Sequence, residues 1–326
     1  MALEDGEFRD DECGELLKWY IRHEKLGHGG QGQVYLLSDA ARNRHRYAGK
    51  MFKLESCAER ETRILDKLRP IPGVVFLHGL RRERKVGGRC FGTMVMELCG
   101  PSLRDLAMKG PLREEEVAEI VKELAETLKG VHSSGVVHRD LKLENVFTKL
   151  QDESTIRPVI GDFGVATDDA REMSQSCGTE KYMAPELIFV ERYGLSYTKA
   201  VDVGVIAYEL LKGYQRSNLE MHLLREGEFQ WPANLSPEAK NLIMGMLDLD
   251  PRKRLTLDQR LMLLLLLESK DKGKDVVVAI MFAAKHVMKL VILINIVGIF
   301  RISDFHFLAG DFGVSNVPLV LLQWKV

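Results

Sequence analysis

The sequence predicts an α+β protein in which a small strand-rich half is followed by a larger helical half. Residues 19–97 consist mainly of short segments rich in β-branched and aromatic residues, with turn-forming residues between them. Residues 103–268 instead carry apolar residues at helical spacing. Strands first and helices afterwards indicate two lobes.

Each half contains segments with a clear local pattern. WYIRHEKL, GQVYLL, YAGKMF and FGTMVMEL predict strands, and SCAERETRILDKL predicts one helix with Ile64, Leu65 and Leu68 on one side. In the second half, EEEVAEIVKELAETLKGVH has acidic residues in its first turn and predicts a helix. AVDVGVIAYELLKG is apolar nearly all round, so it predicts a buried helix that ends at Gly213.

Charge and cysteine content exclude several classes of protein. Lys plus Arg number 46 against 47 Asp plus Glu, which favours neither nucleic acid nor an anionic membrane as a partner. The five cysteines are scattered without a C-x-x-C pattern, as is typical of reduced intracellular thiols. Residues 1–18 are acidic and lack the apolar core of a signal peptide, so they predict a flexible lead-in. We expect a cytoplasmic protein, with the nucleus as the alternative.

The tail, residues 269–326, differs in character from the rest of the chain. Its apolar run at 276–300 is interrupted by Lys285, His286 and Lys289. The longest uncharged part, Leu290–Phe300, would rise about 16 Å as a helix, roughly half the hydrocarbon thickness of a bilayer. We therefore expect the tail to dock on the helical lobe or to be poorly ordered. Membrane association is the less favoured alternative.

A glycine-rich segment, G-H-G-G-Q-G-Q-V at residues 27–34, lies between two predicted strands. A hairpin tip without side chains can lie flat over phosphates with its N–H groups facing them. Lys50 follows on the next strand, where it would point at the phosphates. Glu61, in the predicted helix, is a possible partner for Lys50.

The segment H-R-D-L-K-L-E-N at residues 138–145 concentrates groups suited to phosphoryl transfer. Asp140 can accept a proton from an attacking hydroxyl, and Lys142 can neutralise a phosphoryl group. Asn145 can bind a metal ion through its amide oxygen. Asp162 follows in G-D-F-G-V, a pentapeptide that is repeated around Asp311.

Taken in order, the glycine-rich segment, Lys50, the HRDLKLEN segment, the first GDFG and the A-P-E that contains Glu186 resemble the motif set of eukaryotic protein kinases. The similarity covers roughly residues 20–268. It implies a kinase domain at 19–268, with an N-lobe at 19–97 and a C-lobe at 103–268. The second GDFGV has no catalytic loop before it, so we interpret it as a coincidental turn sequence.

Two features resemble serine/threonine kinases rather than tyrosine kinases. Lys142 lies two residues after Asp140, and C-G-T-E-K-Y-M-A-P-E contains a threonine, Thr179, that could bond Asp140 and Lys142. The closest similarity is to calmodulin-dependent kinases, although no subfamily is assigned. The resemblance implies ATP and Mg²⁺ as cofactors and proteins with Ser or Thr acceptors as substrates.

The resemblance also implies a role for each site residue. Lys50 grips the α- and β-phosphates and Glu61 holds Lys50, while Asp162 and Asn145 hold Mg²⁺. The hairpin glycines Gly27, Gly29 and Gly32 cover the phosphates. Adenine is enclosed by Leu26, Val34, Ala48 and Leu143, with Met96 as the gatekeeper, and its hydrogen bonds go to the backbone at Glu97 and Cys99. Ser102 or Asp105 lies near the ribose.

The chain departs from the family in three places. Gly49 replaces a β-branched residue before Lys50, which we expect to loosen the strand. The spacing from Lys50 to Glu61 is short, so we expect the helix with Glu61 to lack its first turn. Three residues are missing after Asp202, which puts the bracing of the catalytic loop by Asp202 in question. The missing residues after Asp202 and the unusual tail support an alternative function, a catalytically impaired kinase fold that acts as a binding or scaffold protein.

Two further hypotheses concern substrate and regulation. Glu144 and Glu209 match acidic positions that read arginine in relatives, which predicts a basic residue upstream of the target Ser or Thr; two structural glutamates are the alternative. Arg139 matches an arginine that often binds an activation-loop phosphate. Ser174 or Ser176 would carry it, and we expect a modest effect of phosphorylation; a loop that needs no phosphate is the alternative.

Overall fold

The computed structural model describes residues 20–39, 45–82, 92–149, 155–174, 177–179, 182–184, 186, 198–202, 206–212, 231, 235–248 and 250–259. The predicted lead-in at 1–18 and the predicted tail at 269–326 lie outside these residues. Within the described ranges, no helix combines the length and the apolar character needed to cross a bilayer.

The N-terminal lobe is a five-stranded antiparallel sheet with the order β1-β2-β3-β5-β4. The predicted strands are present within two residues of their expected bounds, and one strand, β4, was not predicted. The bounds are β1 Tyr20–His28, β2 Gly32–Asp39, β3 Arg46–Phe52, β4 Leu77–Arg82 and β5 Gly92–Glu97. The sequence pattern of β4 is weak because Gly79 interrupts it. The pairing of β4 with β5 also shifts register at this glycine.

Helix α1, Glu55–Leu68, packs its apolar side against this sheet. The three residues predicted to share one side, Ile64, Leu65 and Leu68, are all buried. They join Phe52 of β3 and Met94 of β5 in the main hydrophobic core. Burial of this face, about 1.5–3 kcal/mol for each large apolar side chain, is what holds α1 against the sheet.

Gly49 has a close neighbour that accounts for its lack of a side chain. A Cβ at Gly49 would lie 2.4 Å from Cδ1 of Leu37 on β2. Leu37 is itself buried and packs with Tyr47 and Val95. The space of the expected β-branched residue is therefore filled from the neighbouring strand, and Gly49 keeps its pairing with Tyr35 and Val95.

The C-terminal lobe is helical, which confirms the predicted α+β class with a β-rich N-lobe and a helical C-lobe. Its helices among the described residues are α2 Leu103–Ala107, α3 Glu114–Ser133, α4 Ile206–Lys212 and α5 Pro237–Met246. Helix α3 begins with three glutamates, and Glu116 Oε2 accepts a hydrogen bond from the N–H of Arg113. Its predicted core residues are all buried: Val117, Ile120, Val121, Leu124 and Leu128.

The prediction of one continuous helix over AVDVGVIAYELLKG was wrong at its start. Lys199–Asp202 forms a 3-10 helix, and α4 begins at Ile206 and ends at Lys212, directly before the predicted stop at Gly213. The reason lies in Asp202, whose carboxylate is hydrogen-bonded to the catalytic loop. Tertiary contacts of this kind override local helix propensity.

A short two-stranded sheet, β6 Val146–Thr148 with β7 Pro158–Ile160, joins the lobes. Ile160 accepts a hydrogen bond from Val75 N at 2.9 Å and donates to Gly73 O at 2.7 Å, in the segment before β4. A second main-chain contact runs from Gly100 N to Thr148 O at 2.8 Å. These contacts bring the N-lobe sheet and the catalytic segment to opposite sides of one cleft.

Candidate active site

Lys50 of β3 reaches two carboxylates. Its Nζ donates to Oε1 and Oε2 of Glu61 at 2.9 and 2.8 Å, and to Oδ1 of Asp162 at 2.7 Å. The side chains of Lys50 and Glu61 are buried, whereas that of Asp162 is 44% exposed. The Lys50–Glu61 contact is thus made despite the short spacing, because α1 begins at Glu55, three residues after β3 ends.

Burial controls the ionisation of this cluster. It raises the pKa of Glu61 to about 7, and the neighbouring Lys50 offsets only part of this effect. Burial would lower the pKa of Lys50, but the carboxylates of Glu61 and Asp162 outweigh it and raise that pKa above its usual value. Desolvation would raise the pKa of Asp162, yet the Lys50 ammonium holds it below the usual range. Glu61 is therefore the member of the cluster that titrates near neutrality.

This titration predicts a pH dependence of nucleotide use. Below pH 7 Glu61 becomes protonated and loses its charge opposite Lys50, so we expect kcat/KM for ATP to fall as the pH drops through about 7. The check is a pH profile of wild type beside Glu61→Gln, with the nucleotide's own titration common to both. A profile of the same shape in the two proteins contradicts the prediction.

The effect of Glu61 on stability has the opposite sign. The folded-state pKa of Glu61 lies above its usual 4.5, so its contribution to stability is fully present below pH 4.5 and is lost as the pH rises through about 7. Between pH 4.5 and about 7, a rise in pH should therefore reduce the contribution of Glu61 to stability and increase kcat/KM for ATP.

The carboxylate of Asp140 is held from both sides. Its Oδ1 accepts from Thr179 N at 2.7 Å, and its Oδ2 accepts from Lys142 Nζ at 2.7 Å and Asn145 Nδ2 at 3.1 Å. Lys142 Nζ also donates to Thr179 Oγ1 at 2.5 Å. The contacts of Thr179 with Asp140 and Lys142 that the sequence predicts are therefore present. Side-chain exposure of Asp140 is only 12%, so the carboxylate has one fixed orientation.

Asp202 holds the backbone around Asp140 in place. Its Oδ2 accepts from His138 N and from His132 Nε2, both at 2.8 Å, and its Oδ1 accepts from Arg139 N at 2.7 Å. Burial would raise the pKa of Asp202, but the hydrogen bond from His132, the charges of His132 and His138 and the hydrogen bond from His138 N together outweigh it, and the pKa is lowered. The bracing contact that the missing residues put in question is thus present.

Two residues of the site have an unusual backbone conformation. Arg139 has φ 67° and Asp162 has φ 54°, both in the left-handed region that non-glycine residues rarely adopt. Each such residue costs on the order of 1 kcal/mol or more and persists only where its surroundings impose it. Arg139 directly precedes Asp140, and Asp162 bears a carboxylate of its own, so in both places the backbone direction decides where a carboxylate points.

The donor set near Asp162 suits Mg²⁺. Asn145 uses Nδ2 to donate to Asp140 O at 2.9 Å, which leaves Oδ1 as the atom that can face a cation. Asp162 supplies an exposed carboxylate. Mg²⁺ prefers oxygen ligands and is commonly held by one or two side chains together with substrate phosphates. The two residues predicted as metal ligands therefore provide atoms of the right kind.

The predicted adenine residues come from both lobes, with Leu143 on the catalytic segment and the others on or next to strands of the N-lobe sheet. Met96 and Leu143 are buried, Val34 and Ala48 are half-buried, and Leu26 is 47% exposed. Glu97 N donates to Phe76 O at 2.9 Å, so an adenine bond to Glu97 must go to its carbonyl. Burial raises the pKa of the Cys99 thiol to about 12, which keeps the thiol neutral.

Ser102 and Asp105 are both used to cap α2. Asp105 Oδ2 accepts from Ser102 N at 2.9 Å and from Ser102 Oγ at 2.7 Å, and Asp105 N donates back to Ser102 Oγ at 3.2 Å. Ser102 is buried, whereas Asp105 is exposed. Of the two residues suggested for the ribose, only Asp105 presents its side chain at the surface.

The glycine-rich hairpin leaves open space at its tip. A Cβ at Gly27, Gly29 or Gly30 would meet no atom within 4 Å, whereas one at Gly32 would lie 2.2 Å from Met51 O. Gln31 Nε2 donates across the cleft to Gly164 O at 2.7 Å. The tip thus lies over the segment that carries Asp162, and the sequence contains no signal for this contact.

The activation segment contains a second feature that the sequence analysis missed. Glu172 contacts both Arg60 of α1 and Arg139 of the catalytic loop. Asp168 accepts from Arg63 at 2.7 and 2.9 Å and from Lys67 at 3.2 Å. Arg60, Arg63 and Lys67 of α1 lie more than 100 residues before these acidic residues in the sequence, so no local pattern could have indicated the contacts.

An ion pair holds the A-P-E segment. Arg254 donates to both oxygens of Glu186, at 2.6 and 2.9 Å. The second GDFGV, with Asp311, and the residues 203–205 that follow Asp202 lie outside the described residues.

Comparisons with known proteins agree with this site. The family model described as "Protein kinase domain" matches residues 20–263. The chain is 34% identical over 259 residues to "Calcium/calmodulin-dependent protein kinase type 1" of Caenorhabditis elegans, covering 73% of this chain and 71% of the relative. It is 34% identical over 260 residues to "Probable cell cycle serine/threonine-protein kinase CDC5 homolog" of Encephalitozoon cuniculi (strain GB-M1), covering 73% of this chain and 52% of that relative.

Proposed function

The chain belongs to the protein kinase family and is a serine/threonine-protein kinase, and from this premise we propose that it transfers the γ-phosphoryl group of ATP, with Mg²⁺, to Ser or Thr hydroxyls of protein substrates. The observation that carries the proposal is the fixed Asp140 carboxylate, bonded to Thr179 on one oxygen and to Lys142 and Asn145 on the other.

Asp140 would orient the acceptor hydroxyl and take up its proton as the bond to phosphorus forms. Lys142, already within 2.7 Å of Asp140, would neutralise the transferred group. Lys50 would hold the α- and β-phosphates, with Glu61 keeping its ammonium in place. Positioning and charge neutralisation do most of the work in such a transfer.

Mg²⁺, when bound, would neutralise the charge that develops on the phosphate oxygens. Asn145 Oδ1 and the exposed carboxylate of Asp162 would hold it. Adenine would bond the carbonyl of Glu97 and the backbone of Cys99, and the exposed side chain of Asp105 is favoured over buried Ser102 for the ribose.

We further propose that Glu144 favours a basic residue upstream of the acceptor. Its side chain is 29% exposed and lies 3.8 Å from Arg104 of α2, a loose contact that a substrate arginine could replace. Glu209 is buried and accepts from Tyr182 at 3.3 Å, which supports a structural use of that residue. We therefore assign the preference to Glu144 alone.

A peptide array tests this preference. We expect wild type to favour Arg or Lys at the −2 or −3 position, and Glu144→Gln to reduce that selectivity about three- to tenfold, as expected for loss of one charge-assisted hydrogen bond. Peptides without basic residues should be phosphorylated equally by the two proteins. Wild type without any preference at these positions would end the idea.

Radiolabel transfer from ATP with Mg²⁺ tests the function itself. We expect wild type to label a protein substrate and Asp140→Asn to lose activity by about 10²–10⁴-fold, because the amide cannot accept the proton. Equal signal from the two proteins contradicts the enzyme proposal. Failure of wild type to transfer at all, with the fold intact, supports the alternative binding or scaffold function.

A further inference from the structure

The carboxylate of Glu172 lies between two arginines from different parts of the fold. Its Oε2 accepts hydrogen bonds from Arg60 Nη2 of α1 and from Arg139 Nη2 of the catalytic loop, the latter at 3.4 Å. Two other donors of Arg139 reach backbone carbonyls, with Nε to Val165 O at 2.7 Å and Nη1 to Glu172 O at 3.0 Å. Arg60 Nη2 also donates to Ala166 O at 3.1 Å.

This arrangement connects the activation segment to the catalytic lysine. Arg60 immediately precedes Glu61 on α1, and Glu61 holds Lys50. Adjacent residues of a helix point about 100° apart, so one turn of α1 contacts Glu172 on one side and Lys50 on another. The position of that turn therefore depends on two contacts, that of Glu61 with Lys50 and that of Arg60 with Glu172.

Burial makes an anion necessary at this place. The side chain of Arg139 is 2% exposed, and a buried guanidinium without a negative partner is costly. Glu172 supplies that charge from within the chain. Because Glu172 and Arg60 are 28% and 37% exposed, their ion pair adds little to overall stability, and its main effect is on geometry.

We propose that Glu172 is a positioning residue that holds α1, and with it the Lys50–Glu61 pair, against the catalytic loop, so that the activation segment needs no phosphate on Ser174 or Ser176 to keep this geometry. The inference depends on the proposed phosphoryl transfer, because Lys50 acts on the phosphates of ATP.

The test uses the full chain after phosphatase treatment. Glu172→Gln keeps the shape of the side chain and removes its charge. We expect the KM for ATP to rise about tenfold, with the KM for a peptide substrate changed less than twofold, because a displaced Lys50 affects the nucleotide first. Asp66→Asn is the matched control, since it removes the charge of a carboxylate on α1 whose pair with Arg69 is local and exposed.

A double-mutant cycle identifies the route. If Glu172 acts through Arg60, then Arg60→Met should raise the KM for ATP by itself and add less than twofold to the effect of Glu172→Gln. A cooperative thermal unfolding transition in each variant, with a midpoint well above the assay temperature, would exclude a general loss of structure.

The outcomes separate this inference from the proposed function. Active wild type with an unchanged KM for ATP in Glu172→Gln overturns the inference and leaves the function intact. Independent, additive effects of Arg60→Met and Glu172→Gln overturn it as well, as does wild type that becomes inactive on phosphatase treatment. Untreated wild type without transfer contradicts the proposed function instead.

Discussion

Asp162→Ala should abolish phosphoryl transfer, whereas Asp311→Ala should leave it nearly unchanged. Asp162 supplies the exposed carboxylate beside Lys50 that we assign to Mg²⁺, at 2.7 Å from Nζ. Its removal takes away the metal ligand and part of the charge that opposes Lys50, so we expect a loss of at least about 10³-fold. Asp311 shares the same pentapeptide but has no catalytic loop before it in the chain.

The two variants form a matched pair because the same substitution is made in the same local sequence. Initial rates of radiolabel transfer at saturating ATP measure the difference, and a titration with Mg²⁺ shows whether the residual activity of Asp162→Ala depends on the metal. Similar losses in both proteins would mean that the wrong copy of GDFGV was assigned to the site.

Asp202→Ala should strongly disturb the catalytic loop, although Asp202 contacts no reacting group. The substitution leaves the N–H groups of His138 and Arg139 and the ring of His132 without their acceptor in a fully buried place. Buried donors without partners cost about 1–3 kcal/mol each. We expect the free energy of unfolding to fall by about 3 kcal/mol or more and transfer to fall by about 10²-fold, since Asp140 follows Arg139 directly.

Denaturant unfolding and initial-rate measurements test this prediction together. Asp258→Ala is a suitable control, because its contact with Lys129 is exposed and should contribute less than about 1 kcal/mol. Unchanged stability in Asp202→Ala would mean that the loop keeps its conformation without this carboxylate, and that the missing residues after Asp202 have little consequence.

Features with a local cause were predictable from the sequence. The bounds of α3 follow from its acidic first turn and from apolar residues at helical spacing, both of which act within the segment. The contacts of Lys50, Asp140 and Thr179 were expected because their motifs occur in a recognisable order. The Gly49 position is intermediate: the missing side chain was visible in the sequence, but Leu37 as the residue that fills the space was not.

Features with a distant cause were not predictable. Strand β4 depends on pairing with β5, and its own sequence, LHGLRR, is interrupted by glycine. The 3-10 helix Lys199–Asp202 replaces an α-helix because Asp202 bonds to the catalytic loop more than 60 residues earlier. Glu172 gave no sequence signal because its value as an acceptor depends on Arg60 and Arg139, which only the folded chain brings together.

The two main-chain connections between the lobes have a mechanical consequence. One joins Gly73 and Val75 to Ile160, and the other joins Gly100 to Thr148. Two fixed points define an axis, so the easiest relative motion of the lobes is a rotation about the line through them. Displacement in such a rotation grows with distance from the axis. Glu97, next to one connection, would therefore move little, whereas movement of the hairpin tip would break the hydrogen bond from Gln31 to Gly164 O.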